Sequence, residues 1–322
     1  MNITVVICTY NRCDSLRHTL ASVAVLTMSE DTEWEILVVD NNSTDHTRAV
    51  VEQAGPPFRY LFEPKQGKSF ALNAGISAAK GEILAFLDDD VIVHQAWLDS
   101  LTRMMRKDKA IAGAGGRTKP FWGGYTLPTW LSIEEPYNSG GILAALFDLG
   151  DHPGRLDKPP YGTNMAFRRE MFEKYGMFRT HLGPRPGNLI RSEDTEFGLR
   201  LLAAGETLWY EPSAIVYHPV LPERLNMQYY LNWWYDYGRA DAREWELAHS
   251  KYLTIGKILI TVTVPTVLRW LLSLSPVKRF YMRSQVRKTL GWINELRGVK
   301  PREKRRVAAT LERTKSESTR PH

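Results

Sequence analysis

The stretch Gly81-Glu-Ile-Leu-Ala-Phe-Leu-Asp-Asp-Asp90 joins an apolar run to three consecutive carboxylates. The run Ile83 to Leu87 has the length of a buried strand and stops at the aspartates. Three carboxylates crowded at the end of a core strand repel one another unless a cation lies between them. Because residues two apart in a strand share a face, Asp88 and Asp90 are predicted to point together and Asp89 away. That pair can hold Mg²⁺ or Mn²⁺, and the alternative is a solvated acidic turn.

The segments before this stretch alternate between strand and helix patterns. Strands are predicted at 3–10, 34–39 and 58–62, and each is followed by a helical segment. This order predicts an α/β fold with a doubly wound, mostly parallel sheet and helices on both faces. Ligands bind outside the carboxyl ends of such strands, where Asp40, the loop 66–68 and Asp88 to Asp90 all lie.

The first strand lacks the usual phosphate-binding signatures. Cys8-Thr-Tyr-Asn11 stands where a Rossmann fingerprint or a P-loop would carry glycines. A nucleotide bound here is therefore expected to be held by an acidic residue on its base or ribose and by a metal on its phosphates.

Two later segments carry further candidates. Residues 118–160 are rich in Gly, Pro and aromatic residues and predict a functional loop or lid. Ser192-Glu-Asp-Thr-Glu196 has the pattern of a helix N-terminus. Glu193 and Asp194 there can be functional, or they can simply offset the helix macrodipole. His218 follows two predicted strands, and a single His is more often structural than a ligand.

Seven short motifs occur in order along the first two-thirds, roughly, of the chain. They are Val6-Ile-Cys-Thr-Tyr-Asn-Arg12, Val39-Asp-Asn-Asn-Ser-Thr-Asp45, Gln66-Gly-Lys-Ser-Phe-Ala-Leu-Asn-Ala-Gly75, Phe86-Leu-Asp-Asp-Asp90, Gly162-Thr-Asn-Met-Ala-Phe-Arg168, Glu193-Asp194 with Leu199-Arg200 and Gly205, and Tyr217-His-Pro219. Together they resemble the family 2 inverting glycosyltransferases, which have a GT-A-type fold. Each motif is weak alone, and the specificity lies in their order.

The resemblance implies how the donor is bound. Thr9 and Asp40 would contact the nucleotide base, and Lys68 and Asn73 lie where that family approaches the base and phosphates. The expected donor is a UDP- or GDP-sugar.

The resemblance also implies a metal site. Asp88 and Asp90 match the family's Asp-x-Asp element, which binds the ribose and the metal that bridges the diphosphate. His218 matches a position that often completes the shell of the Mg²⁺ or Mn²⁺ ion.

The implied chemistry is an inverting transfer that needs one catalytic base. Asp194 matches that base, with Glu193 as its neighbour, and Thr163 and Asn164 match residues lining the sugar and acceptor pocket. Two rivals remain: a sugar nucleotidyltransferase and a catalytically inactive membrane scaffold with the same fold. The segment Gln228-Tyr-Tyr-Leu-Asn-Trp233 lacks the Gln-x-x-Arg-Trp element of processive members, which favours a single addition.

The C-terminal region has a different composition. The net charge is +6, yet residues 251–322 contain 17 Lys and Arg against 4 Asp and Glu. Residues 223–248 predict one helix dense in aromatic residues, which can pack on the catalytic domain, lie at a bilayer interface or stack on sugars. Residues 255–274 are apolar but interrupted, which favours an interfacial or re-entrant helix pair over a span.

These features predict three regions: a nucleotide-sugar-binding and catalytic domain at 1–220, a membrane-attaching helical region at 221–298, and a disordered basic tail at 299–322. The expected partners are the donor, a glycan or lipid-linked acceptor and an anionic membrane surface, with no nucleic acid. The expected location is peripheral or monotopic, on the cytoplasmic face of the inner membrane. Only two cysteines are present and no signal peptide is apparent, which fits a reducing compartment.

Overall fold

The protein is described by a computed structural model that covers residues 2–29, 32–140, 145–186, 191–245 and 263–298. Within these residues the strands are β1 Ile3–Thr9, β2 Trp34–Asp40, β3 Phe58–Phe62, β4 Ile83–Asp88, β5 Ile92–Val93, β6 Ile111–Phe121, β7 Gly154–Arg155, β8 Asn164–Arg168 and β9 Thr207–Pro219. The helices are α1 Cys13–Val23, α2 Thr47–Ala54, α3 Lys68–Ala78, α4 Trp97–Lys107, α5 Arg169–Tyr175, α6 Glu193–Ala203, α7 Met227–Trp245, α8 Val264–Leu272 and α9 Pro276–Leu296.

The described strands form one mixed sheet. Its order is β3-β2-β1-β4-β8-β6-β9-β5, and β7 pairs with β9 outside that path. The pairs β3–β2, β2–β1, β1–β4 and β6–β9 are parallel, whereas β8 runs antiparallel between β4 and β6. The predicted parallel core is therefore confirmed, but the sheet is mixed because β8 reverses its direction at the centre.

Helices cover both faces of the sheet, as predicted. Along β1 the side chains of Ile3, Val5 and Ile7 join one buried cluster, and Val6 joins the other. This alternation is the period-2 pattern of a strand that is buried on both faces. The first cluster contains side chains of α1, α2 and α4, and the second contains side chains of α3, α5 and α6.

The C-terminal helices α7 and α9 pack closely against each other. Gly238 of α7 and Gly291 of α9 lie at the crossing, where a Cβ on either glycine would overlap the carbonyl oxygen of Lys288 or Tyr235 respectively. Glu295 accepts from Arg239 Nε and Arg243 Nε at 2.7 Å each, which fixes the end of α9 against α7.

The aromatic C-terminal helix is confirmed over Met227–Trp245, and it begins four residues later than the predicted 223–248. Residues 246–262 and 299–322, which include the first part of the apolar stretch and the predicted tail, lie outside the described residues. No helix in the described ranges is both long and apolar enough to cross a membrane. The three-region division stays a prediction.

Candidate active site

The carboxyl ends of the central strands bring the sequence motifs together. Thr9 at the end of β1 is paired in register with Asp40 of β2, and Cys8 is paired with Asp88 of β4. Because β8 is antiparallel, it begins at this same edge, where Asn164 is paired with Leu87. One edge of the sheet therefore carries residues from four strands, as expected for an α/β ligand site.

A cavity of about 640 Å³ opens at this edge. Its wall includes eight of the predicted site residues: Thr9, Lys68, Asp88, Asp90, Thr163, Glu193, Asp194 and His218. The other three, Asp40, Asn73 and Asn164, are absent from the wall.

Asp40 and Thr9, which the resemblance assigns to the nucleotide base, lie side by side at the ends of β2 and β1. Asp40 is buried and accepts from Tyr60 Oη at 2.8 Å and from the Ser43 backbone N–H at 2.9 Å. Thr9 Oγ1 is buried and lies beside the carboxylate of Asp89, without a hydrogen bond of ordinary length among the described residues. Since buried hydroxyls are normally paired, Thr9 is the better placed of the two to bind a ligand directly.

The side-chain amides of Asn73 and Asn164 are engaged by the fold itself. Asn73 donates to the Phe178 carbonyl at 2.9 Å and accepts from the Phe178 N–H at 3.0 Å. Asn164 Oδ1 accepts from Trp97 Nε1 at 2.8 Å, and its Nδ2 donates to the Ala214 carbonyl at 2.9 Å. Both amides hold neighbouring segments in place, so a direct contact of either with substrate has no support from this geometry.

The aspartate triplet differs from the predicted arrangement. Strand β4 ends at Asp88, and Asp89 and Asp90 lie in the turn that follows. Arg12 Nη1 donates to Asp89 Oδ1 at 3.1 Å and to Asp90 Oδ2 at 2.9 Å. All three aspartates line the cavity, so the prediction that Asp89 points away is wrong, because strand alternation stops before it. Burial raises the pKa of Asp89 above its usual range.

Asp90 and His218 form the part of the site that fits a divalent cation. His218 Nε2 lies 3.6 Å from Asp90 Oδ1, and Arg224 Nη2 lies 3.4 Å from Asp90 Oδ2. Although burial opposes it, His218, Arg12 and Arg224 lower the pKa of Asp90 below its usual range, so the carboxylate is ionised.

The described side chains contain no group of three His, Cys, Asp or Glu residues arranged to hold a metal ion by themselves. A carboxylate with a neighbouring imidazole nevertheless suits a Mg²⁺- or Mn²⁺-type site whose other ligands are substrate phosphates. Asp88, the third predicted ligand, forms an ion pair with Lys68, whose Nζ lies 2.6 Å from Asp88 Oδ1, and its role as a metal ligand stays a prediction.

Lys68 links the aspartate triplet to the acidic pair of α6. Its Nζ also lies 3.7 Å from Glu193 Oε1. Burial lowers the pKa of Lys68, but Asp88 and Glu193 outweigh it and raise that pKa above its usual range, so the ammonium group stays charged. Burial raises the pKa of Glu193 to about 7 although Lys68 lowers it. Glu193 is therefore partly protonated near neutral pH.

Asp194 lies at the N-terminus of α6 and lines the cavity. Its Oδ2 accepts from the Gly162 N–H at 2.6 Å, and its Oδ1 accepts from the Thr195 N–H at 2.7 Å. A Cβ at position 162 would lie 3.0 Å from Asp194 Oδ2, so the glycine permits this close approach. Ser192, directly before the pair, has a φ of 83°, an uncommon conformation that aims the start of α6. The carboxylate is thus oriented by two backbone donors and retains free lone pairs.

The C-terminal region supplies an aromatic part of the cavity wall. Tyr229, Trp233 and Tyr237, four residues apart on α7, all line it. The rings of Trp233 and Tyr237 are stacked with centroids 5.2 Å apart, and the Arg191 guanidinium lies 5.7 Å above Trp233. Residues four apart in a helix lie on the same face, so only these three of the described aromatic side chains of α7 face the cavity.

Sequence reasoning missed four arginines of the cavity wall: Arg12, Arg185, Arg191 and Arg224. Arg12 belongs to the first motif and lies three residues after the end of β1, so the motif could have indicated it. Arg191 and Arg224 lie in segments without a repeating pattern, and only the tertiary structure brings them to the cavity.

Known proteins resemble this chain in sequence and in fold. Residues 4–176 match the family described as Glycosyl transferase family 2. The chain is 30% identical to the succinoglycan biosynthesis protein ExoM of Rhizobium meliloti over 232 residues, which cover 70% of each chain. It is 30% identical to the glycosyltransferase AglE of Haloferax volcanii, with 68% of this chain and 67% of that one covered.

A solved structure shows the same fold. It is a mannosyltransferase of Pyrobaculum calidifontis in complex with GDP-Man and Mn²⁺, and it is 17% identical to this chain. The superposition has a TM-score of 0.55 and covers 98% of this chain and 79% of that one. The family match, the two relatives and the mixed α/β sheet with its ligand edge identify this chain as a member of glycosyl transferase family 2, with the GT-A fold.

Proposed function

We propose that this enzyme transfers a sugar, with inversion, from a UDP- or GDP-sugar to a hydroxyl of a glycan or lipid-linked acceptor in cell-envelope glycan synthesis. The observation that carries the proposal is the position of Asp194, an oriented carboxylate in the same cavity as the Asp90–His218 pair. Relatives named for succinoglycan biosynthesis and for glucosyl-dolichyl phosphate glucuronosyl transfer support this class of product.

In the proposed reaction Asp194 is the general base. It takes the proton of the acceptor hydroxyl while the oxygen attacks the anomeric carbon opposite the diphosphate. The new C–O bond forms as the bond to the diphosphate breaks, and the nucleoside diphosphate leaves. The two backbone N–H groups that bind Asp194 hold the carboxylate in one orientation during this step.

The donor would lie along the strand ends. Thr9 Oγ1 is available to the nucleotide, and the charged Lys68 lies beside Asp88, where the ribose and phosphates are expected. Asp90 and His218 would hold a Mg²⁺ or Mn²⁺ ion, which would neutralise charge on the leaving diphosphate. The bound Mn²⁺ of the Pyrobaculum calidifontis mannosyltransferase is consistent with this metal dependence.

The acceptor would occupy the side of the cavity formed by α7. Aromatic rings offer a flat apolar surface that matches the C–H face of a pyranose, and Tyr229, Trp233 and Tyr237 present such rings to the cavity. Arg191 adds N–H donors at the same wall, and no described carboxylate forms an ion pair with it.

Nucleotide release tests the proposed reaction. The purified protein, incubated with a panel of UDP- and GDP-sugars and Mn²⁺, should release a nucleoside diphosphate slowly by hydrolysis and faster with a glycan or lipid-linked acceptor. Because the ion would neutralise the leaving group, EDTA should stop the release and Mn²⁺ should restore it. Release of pyrophosphate from a nucleotide and a sugar phosphate would favour a nucleotidyltransferase, and the absence of both products would favour an inactive scaffold.

We further propose that α8 and the start of α9 attach the enzyme to the anionic cytoplasmic face of the plasma membrane. The apolar side chains of this segment are largely exposed: Val264 by 53%, Leu268 by 54%, Leu271 by 65%, Leu272 by 81% and Leu274 by 95%. Contiguous exposed leucines are unusual on a soluble surface. The exposed cations Lys278, Arg279 and Arg283 follow at once on α9. Apolar and then basic surface suits an interface with anionic lipid.

Vesicle sedimentation tests this attachment. The wild type should pellet with vesicles that contain phosphatidylglycerol, and less with pure phosphatidylcholine or at high salt. Replacing Leu268 and Leu272 together with Glu should lower the partition coefficient by at least about tenfold, because each apolar side chain would no longer enter the acyl region. The matched control replaces the exposed Val25 and Leu149 with Glu. Equal partitioning of the two double variants would contradict the proposal.

A further inference from the structure

The negative charge of Asp90 is already neutralised by nearby cationic side chains, which is unusual for a carboxylate that is expected to bind a metal ion. Besides His218, the guanidinium groups of Arg12 and Arg224 both contact Asp90 Oδ2, at 2.9 and 3.4 Å. The carboxylate is only 12% exposed, so these contacts lie in a region where charges are weakly screened. The charge that a metal ion would supply to Asp90 is therefore already supplied by the protein.

A divalent cation entering alone would meet both arginines. A cation held between Asp90 Oδ1 and His218 Nε2 would lie beside a carboxylate whose other oxygen, Oδ2, already contacts both guanidinium groups. Like charges would therefore be crowded around one carboxylate. A donor diphosphate changes this balance, because its oxygens bind the cation and also accept from guanidinium N–H groups. The charges of the site are therefore balanced in two states. In the first, the arginines neutralise Asp90; in the second, the charge of the added cation is offset by the added diphosphate.

The two arginines differ in whether they would keep a carboxylate partner when a cation binds Asp90. Arg12 keeps a second contact, with Asp89 at 3.1 Å. Arg224 forms an ion pair with no described carboxylate other than Asp90. Arg224 also ends the short 3₁₀ turn Pro222–Arg224, directly before the α7 helix that lines the cavity. A cation that took Asp90 would therefore remove the carboxylate partner of Arg224 but leave Asp89 to Arg12.

We propose that Arg224 makes cation binding depend on the nucleotide: it occupies Asp90 in the free enzyme and transfers its guanidinium to the diphosphate when the cation binds. This inference rests on the proposed function, since it assumes the cation and donor described above. Arg224 is then a positioning residue. It weakens binding of the cation alone and strengthens binding of the cation together with the donor diphosphate.

Manganese titrations followed by the EPR signal of free Mn²⁺ test this proposal without using activity. They are run on the full chain, alone and with saturating UDP or GDP, whichever raises the melting temperature. For the wild type, the nucleotide should tighten Mn²⁺ binding by at least about tenfold. Arg224→Met should bind Mn²⁺ alone at least about threefold more tightly and lose most of the gain from the nucleotide. Arg224→Lys keeps the charge and should bind Mn²⁺ alone as the wild type does.

The matched control is Arg103→Met, which removes a guanidinium from the ion pair with Asp99 on α4 and should leave both affinities unchanged. If Arg224→Met binds Mn²⁺ as the wild type does, alone and with nucleotide, the inference is overturned while the metal-dependent function stands. If the wild type takes up no Mn²⁺ even with nucleotide, the proposed metal dependence fails and this inference fails with it.

Discussion

Asp194→Asn should lower the rate of sugar transfer by about 10²–10⁴-fold, the range that a general base contributes, while nucleotide binding stays within about twofold of the wild type. The amide cannot accept the proton of the acceptor hydroxyl. It can still accept from either the Gly162 or the Thr195 N–H, so the start of α6 keeps part of its present contacts. The measurements are steady-state transfer with the donor and acceptor identified for the wild type, and nucleotide binding by calorimetry with Mn²⁺.

Glu193→Gln is the matched control, because it makes the same chemical change one residue earlier. The pKa of Glu193 is raised to about 7, so the neutral form that Gln imitates is already populated at neutral pH. As pH rises above 7, the wild-type carboxylate becomes charged beside Lys68 and the glutamine variant does not.

The two variants should therefore differ in their pH profiles. Relative to the wild type, Glu193→Gln should lose little of the sugar-transfer rate near about pH 6 and more toward about pH 8.5. Asp194→Asn should lose a large part of that rate at both pH values. If Asp194→Asn retains turnover, or if Glu193→Gln is the more damaging at every pH, the base has been assigned to the wrong residue.

The sequence predicted the parallel core and the edge that carries the site, because both depend on local patterns. Apolar runs of strand length, such as Ile83 to Leu87, end in polar residues that must lie at one edge of a parallel sheet. The antiparallel direction of β8 could not be predicted from such local patterns. A short strand has the same pattern in either direction, and its pairing is set by the long connection before it.

Within the site, the sequence does not show the partners of a side chain that depend on distant segments. Asp89 was assigned to the outer face by strand alternation, yet β4 ends one residue earlier and Arg12 holds Asp89 in the cavity. Asn73 and Asn164 stand in the expected motifs, but Phe178 and Trp97 occupy their amides. Motifs fix the residue type and order, and the partners of each side chain follow from the packing of elements far apart in sequence.

The contribution of the C-terminal helices to the site leads to the second large expected effect. Gly291→Val should reduce sugar transfer by about 10²-fold, while nucleotide-dependent stabilisation and slow donor hydrolysis remain. A Cβ on Gly291 would overlap the carbonyl oxygen of Tyr235, so α9 and α7 must separate. Tyr235 lies between Trp233 and Tyr237 along α7, and its displacement would move the aromatic wall away from Asp194.

The change in stability of Gly291→Val shows whether the clash occurs, because helix propensity alone predicts a change in the opposite direction. Gly is about 1 kcal/mol less favourable than Ala in a helix interior, so a larger residue without a clash would leave α9 equally stable or more stable. With the clash, the free energy of unfolding should fall by about 1–3 kcal/mol, measured by urea denaturation. Leu290→Val places the same residue one position earlier, at an exposed site, and should leave stability and transfer close to wild type. If Gly291→Val transfers sugar at the wild-type rate, α7 does not form the acceptor side of the cavity. If it loses transfer and nucleotide binding together, the helices support the whole fold rather than the acceptor wall alone.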